Sequence, residues 1–145
     1  MKVRKIEGNI HIDERGEVGF INDYDFHGVK RFYTIRNYKS HFIRAWHAHK
    51  KEGKFITVVN GAALIGAVKI IDWDDPSKNN DVEKFILSSI KPSIIAIPPS
   101  YANGMMTLEK DTIIMVFSTS SLKESFNDDI RYDSKQWDIW DIQER

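Results

Sequence analysis

One stretch of the chain holds side chains able to do acid–base or metal chemistry at a useful spacing: Arg44-Ala45-Trp46-His47-Ala48-His49-Lys50-Lys51-Glu52-Gly53-Lys54. Residues two apart on a β-strand point to the same face. His47 and His49 therefore face together, and small Ala45 and Ala48 leave room for a ligand to approach. An imidazole changes charge near neutral pH, so such a pair suits a general base, a proton relay or part of a metal centre. Two solvated histidines on a surface strand are the plain alternative. The chain has no cysteine, which removes disulfides and thiolate metal sites.

The pair needs a strand to hold it, and the pattern is strands almost throughout. Residues 2–12 alternate loosely, and Asp13-Glu14-Arg15-Gly16 reads as a tight turn. Residues 29–35, 42–49, 54–60, 62–71, 82–87, 93–97 and 112–118 are rich in β-branched and aromatic residues. Asn60-Gly61 between two such runs predicts a hairpin. Residues 72–81 form a loop by composition, and 118–128 has room for one short helix. At 145 residues and 41% hydrophobic, with eight Phe, four Trp and five Tyr, the chain can build one domain with a proper core. Many short strands punctuated by Gly, Pro and Asn imply an all-β sandwich or barrel.

Twenty-one basic residues balance twenty-one acidic ones, giving zero formal net charge. A nucleic-acid partner is not expected, because neutralising phosphates needs a positive field. No apolar run is long enough for a membrane span or a leader, so no membrane partner and a cytoplasmic location are expected. Near-neutrality also removes charge repulsion against self-association.

Two separated segments resemble the motifs of the cupins, which are double-stranded β-helix jelly rolls. The first cupin motif is His-x-His, four residues, Glu, six residues, Gly. Here it reads His47-Ala48-His49, then Lys54, then Gly61. The second is Pro-x-Gly, two residues, His. Here it reads Pro98-Pro99-Ser100-Tyr101-Ala102-Asn103. Lys54 stands at the position of the metal-binding Glu and Asn103 at that of the third His. A divalent cation wants imidazole and carboxylate ligands, and an ammonium repels it. The resemblance thus implies a metal-free cupin without a cofactor.

Arg44-x-x-His47, Lys54 before Gly61, Asp13-Glu14-Arg15-Gly16, the segment Ile97–Gly104 and Ile130-Arg131-Tyr132-Asp133 together resemble the dTDP-4-dehydrorhamnose 3,5-epimerase family. Val29-Lys30-Arg31-Phe32-Tyr33 and His47-Ala48-His49-Lys50-Lys51 are closer to the dTDP-sugar 3,4-ketoisomerases of the same fold. The resemblance implies epimerisation of a nucleotide-activated 4-keto-6-deoxyhexose, by removing and returning a proton next to the ketone. Ketoisomerisation, or binding without turnover, are its alternatives. It implies catalytic roles for four residues. His47 is the base and Asp133 its orienting partner. Lys54 stabilises the enolate, and His49 is a second proton carrier. Arg15, Arg44, Tyr101 and Asn103 bind substrate, the two arginines on the diphosphate. It also implies a role in polysaccharide biosynthesis and a homodimer, with strands within residues 1–40 exchanged between subunits. Three positions depart from the epimerase pattern. Val116 occupies the place of the proton-donating Tyr, Asn103 that of a second His, and Phe20 that of an acidic residue.

Overall fold

Runs of β-branched and aromatic residues extend into strands because their side chains pack well on a pleated surface. The computed structural model describes all residues 1–145 and is built almost wholly this way. In chain order the strands are β1 (Arg4–Glu7), β2 (Asn9–Asp13), β3 (Gly16–Phe20), β4 (Arg31–Ile35), β5 (Ile43–His49), β6 (Lys54–Asn60), β7 (Ala62–Lys69), β8 (Glu83–Ser88), β9 (Ser93–Ile97), β10 (Tyr101–Thr107), β11 (Ile113–Ser118) and β12 (Ile130–Arg131). One short helix, α1 (Leu122–Phe126), precedes β12. Two five-stranded antiparallel sheets, ordered β1-β9-β6-β11-β4 and β12-β5-β10-β7-β8, form the jelly roll. Strands β2 and β3 pair only with each other.

The sheets share an apolar interior. Ile56, Val58, Ile95, Ile97, Ile114 and Val116 of the first meet Ala63, Ile65, Ala67, Leu87 and Met105 of the second. Each large aliphatic side chain buried there contributes roughly 1.5–3 kcal/mol. The outer face of the second sheet has its own core, where Trp137 and Trp140 of the C-terminal segment cover Trp46, Ala48, Val68, Ala102 and Met106. The buried indoles are satisfied by backbone carbonyls: Trp46 and Trp140 donate to Ser134, and Trp137 to Ser77. Gly104 permits this layer, since a Cβ there would lie 2.7 Å from the Ala45 Cβ and 3.0 Å from the Trp46 and Trp140 rings.

Three sequence expectations change. Asn60-Gly61 does turn sharply, with Gly61 at a φ of +81°, but β6 and β7 do not pair. The turn carries the chain from one sheet to the other, because both strands have an apolar face that must reach the same interior. Strand β10 (Tyr-Ala-Asn-Gly-Met-Met-Thr) was not expected, since Asn and Gly disfavour strands; its small residues are required by the indoles packed over it. The run 2–12 divides at Gly8, where a Cβ would sit 1.9 Å from the Phe20 carbonyl oxygen. The short helix lies where expected, with Ser121 and Glu124 forming a capping box.

Candidate active site

Strand β5 carries both histidines, and its register explains where they point. Opposite β10, His47 pairs with Asn103 and Arg44 with Met105, so Ala45 and Trp46 together oppose Gly104. This bulge turns Ala45 and Trp46 both outward, into the tryptophan layer. Met105 faces the interior, so its partner Arg44 lies on the same side of the sheet as His47. Strict alternation would have separated them.

His47 sits at the mouth of the jelly roll with 30% of its side chain exposed. Burial, then the Lys54 ammonium and the Arg131 guanidinium, lower its pKa from 6.5 to about 4. The ring is therefore neutral at pH 7 and keeps a lone pair for a proton. The Asp129 carboxylate, 4.0 Å from Nδ1, pulls the other way. Asp129 is itself shared with Arg131, whose guanidinium lies 3.1 Å from Oδ2.

His49 is different. Only 5% of its side chain is exposed, and both ring nitrogens face protein oxygens. Nδ1 lies 2.6 Å from the Asp128 carbonyl oxygen and Nε2 lies 3.1 Å from Oε2 of Glu52. Burial, then Lys54, lowers its pKa. The turn that carries Glu52 is fixed by Asp128, whose carboxylate accepts the N–H groups of Lys50, Lys51 and Glu52 at 2.8, 2.8 and 3.0 Å. Burial alone would raise the Asp128 pKa, but these three donors hold it below the usual range.

Lys54 opens β6 and pairs with Ser118 of β11, on the sheet opposite the histidines. Its side chain is 10% exposed and its ammonium lies 3.7 Å from Oε2 of Glu52. The imidazole at the mouth thus has its basicity lowered by burial and by the charge of this ammonium.

The remaining sequence candidates are placed unevenly. Asn103 is buried on the inward side, donates Nδ2 to the His47 carbonyl at 3.1 Å, and keeps an unpartnered Oδ1. Arg44 lies at the rim, its Nε 2.7 Å from Oδ1 of Asn37, in a depression also lined by Arg36 and Lys39. Tyr101 is packed into the interior core, with burial raising its pKa. Asp133 makes no ion pair or hydrogen bond with His47. Tyr132 pairs with the Trp46 backbone, which carries Asp133 past the mouth, where its carboxylate accepts the Lys135 N–H at 2.8 Å. Asp129 is the carboxylate the fold brings to His47. Arg15 is on the β2–β3 hairpin, paired with Asp13 at 2.6 Å and with no other group.

The sequence assigns several mouth residues no individual role. Glu52, Asp128 and Asp129 are acidic residues in polar segments, indistinguishable from solvated ones until the loops close. Arg31 and Tyr33 lie on the inward side of β4, with the guanidinium 4.9 Å from the phenol ring centre. Tyr33 pairs directly with Val116 and is the one tyrosine on a strand of that sheet. A period-2 reading of β4 from Arg31 would have put both residues on one face.

The family model for dTDP-4-dehydrorhamnose 3,5-epimerase matches residues 2–144. No curated protein sequence matches the chain. Among solved structures, the chain is similar to the dTDP-4-dehydrorhamnose 3,5-epimerase of Bacillus anthracis, solved with TDP and pyrophosphate. Identity is 20%, coverage is 98% of this chain and 86% of that one, and the TM-score is 0.79. It is also similar to the 3,4-ketoisomerase QdtA of Thermoanaerobacterium thermosaccharolyticum, solved as a double mutant with TDP: 23% identity, 94% and 91% coverage, TM-score 0.70. The Legionella pneumophila epimerase, solved with dTDP-4-keto-L-rhamnose, is 19% identical over 92% of this chain and 75% of that one, with a TM-score of 0.73. The whole-chain family match, on a jelly roll with an imidazole and an ammonium at its mouth, places this protein in the dTDP-4-dehydrorhamnose 3,5-epimerase family, as a sugar-nucleotide epimerase or isomerase.

Proposed function

We propose that the protein epimerises a carbon beside the ketone of a thymidine-diphosphate-linked 4-keto-6-deoxyhexose, with His47 as base and Lys54 as stabiliser of the enolate. The observation that carries this reading is the contrast between the two imidazoles. His47 is neutral and reachable, whereas His49 is buried, with Nδ1 on the Asp128 carbonyl and Nε2 turned to Glu52. A 3,4-ketoisomerase using both rings on one sugar face would need His49 free.

In this reaction the C–H bond next to the ketone breaks, its proton goes to His47, and the electron pair moves to the ketone oxygen. The Lys54 ammonium stabilises that oxygen as its charge develops. The family's proton donor on β11 is replaced here by Val116, and Tyr33 stands beside it on β4, on the sheet facing His47. Tyr33 delivers a proton to the opposite side of the carbon, and solvent restores both groups. Arg44, Arg36 and Lys39 form a cationic depression suited to the diphosphate. The unpartnered Oδ1 of Asn103 accepts a sugar hydroxyl. Relatives solved with TDP support the nucleotide.

The β2–β3 hairpin pairs with neither sheet of its own chain, which supports a homodimer in which Arg15 reaches a second copy's mouth. Residues 1–145 then act as one cupin domain whose N-terminal part is exchanged.

The test is proton exchange in heavy water with a TDP-4-keto-6-deoxyhexose. Wild type is expected to exchange and invert the carbon. Tyr33→Phe should still wash out the proton but return it with retention, while His47→Ala should do neither. Movement of the ketone to C3 would establish ketoisomerisation instead, and no exchange with any 4-keto sugar would leave binding alone.

A further inference from the structure

Glu52 is a fully enclosed carboxylate at the mouth, and the epimerisation above makes no direct use of it. Cations approach it from two strands. Arg31 on β4 lies 3.6 Å from Oε1, and Lys54 on β6 lies 3.7 Å from Oε2. Ser118 on β11 donates its hydroxyl to Oε1 at 2.6 Å. The remaining neighbour is His49, with Nε2 at 3.1 Å from Oε2.

The tautomer of His49 is set from its far side. Its Nδ1 lies 2.6 Å from the Asp128 carbonyl oxygen. A carbonyl only accepts, so Nδ1 carries the hydrogen. A neutral ring of that tautomer then points a lone pair from Nε2 at a carboxylate oxygen. Both atoms are buried and neither has an aligned hydrogen-bond partner. Two acceptors facing each other repel, and a buried polar atom left unmatched costs about 1–3 kcal/mol. A single proton placed between Nε2 and Oε2, with a small rotation of either group, removes both penalties.

We infer that His49 and Glu52 share one extra proton and form a net-neutral pair, which leaves the charge of the Lys54 ammonium uncompensated at the mouth. The surroundings oppose either extreme. Burial and Lys54 disfavour an imidazolium at His49, whereas Glu52 has the cations of Arg31 and Lys54 at 3.6 and 3.7 Å. The other titratable or charged groups facing the pair do not supply the proton. His47 on β5 is neutral. The Asp128 carboxylate is committed to three backbone N–H groups. Asp129 and Arg131, before and on β12, pair with each other. Glu52 and His49 are thus positioning residues, acting through Lys54. That role rests on the epimerase reading, whereas the shared proton does not.

The proton is tested by NMR on the full chain with ¹⁵N-labelled histidine at neutral pH, assigning His49 by its loss in His49→Phe. An exchangeable hydrogen bonded to or shared with Nε2, lost in Glu52→Leu, is expected. A bare, unprotonated Nε2 with no hydrogen-bond signature overturns the inference. The role is tested by substrate proton exchange. In His49→Phe, Glu52 becomes a bare carboxylate beside Lys54, and the rate should fall by about 10²-fold, comparable to loss of an oxyanion donor. The double variant His49→Phe/Glu52→Gln removes that negative charge and should recover at least about tenfold of the loss, a coupling that merely structural damage would not show. A double variant no faster than His49→Phe overturns the positioning role. Absence of exchange in wild type would instead defeat the epimerase reading, with the NMR result still deciding the proton.

Discussion

Two regions of the molecule hold the same three kinds of side chain and treat them in opposite ways. On the β2–β3 hairpin, Asp13 meets Arg15 at 2.6 Å and His11 at 3.6 Å. At the mouth, Glu52 meets His49 at 3.1 Å and Lys54 at 3.7 Å. The hairpin contact is the shorter, yet Arg15 and His11 are 81% and 67% exposed, so water competes for every charge. At the mouth the carboxylate is enclosed, and the histidine and lysine nearly so. Distance alone does not rank these clusters. Desolvation does, because charges taken out of water depend on one another for compensation.

The largest expected effect is on chemistry. His47→Ala should lower substrate proton exchange by about 10²–10⁴-fold, the usual contribution of a positioned general base. His11→Ala on the hairpin should leave the chemical step unchanged, and a comparable loss there would abolish the distinction drawn between the regions.

Lys54→Met should cost on the order of 10²–10³ in rate through loss of enolate stabilisation. It should also shift the acid limb of the pH–rate profile upward. In wild type that limb lies near the His47 pKa of about 4, since the ring must be neutral to accept a proton. A wild-type limb at 6.5 would mean that neither burial nor the ammonium acts on the ring.

In stability, Glu52→Leu should cost about 3–5 kcal/mol in urea unfolding, because the buried groups of Ser118, His49, Lys54 and Arg31 would lose the acceptor they converge on. Asp13→Asn should leave the urea midpoint unchanged, as exposed pairs contribute little. Equal losses would show that burial does not separate the clusters.

A smaller effect follows from the same depressed pKa. Between about 4 and 6.5 the unfolded chain binds the His47 proton and the folded chain does not. His47 therefore adds stability that is full above 6.5 and is lost as pH falls toward 4. His47→Gln should flatten the wild-type stability profile in that window. Smallest of all, Asp129→Asn should lower the His47 pKa further by removing the one acidic group that raises it, and Asp133→Asn should not. A shift in the second variant alone would restore Asp133 as the partner.

Much of this arrangement was legible before any coordinates. Alternation placed His47 and His49 on one face of one strand, and motif spacing put Lys54 beside them. The first follows from local geometry, since the period of a strand is a property of the backbone, and the second from the resemblance to the cupin motif. The bulge was not legible, because it depends on what packs over Gly104 from residues more than thirty positions away. Nor was the choice of Asp129 over Asp133. They lie four positions apart, and only the pairing of Arg131 with His47 and of Tyr132 with Trp46 decides which carboxylate reaches the mouth.

The amino-acid sequence by itself determined the β class, the positions of the turns, the shared face of the two histidines and the family, all of which rest on spacing along the chain and on side-chain type. Tertiary structure alone decided that β6 and β7 enter opposite sheets, that Arg44 shares the side of His47, and that Glu52 is enclosed with His49. Those outcomes depend on which distant surfaces exclude water from one another, and exclusion of water is what turns an ordinary glutamate and histidine into a coupled pair.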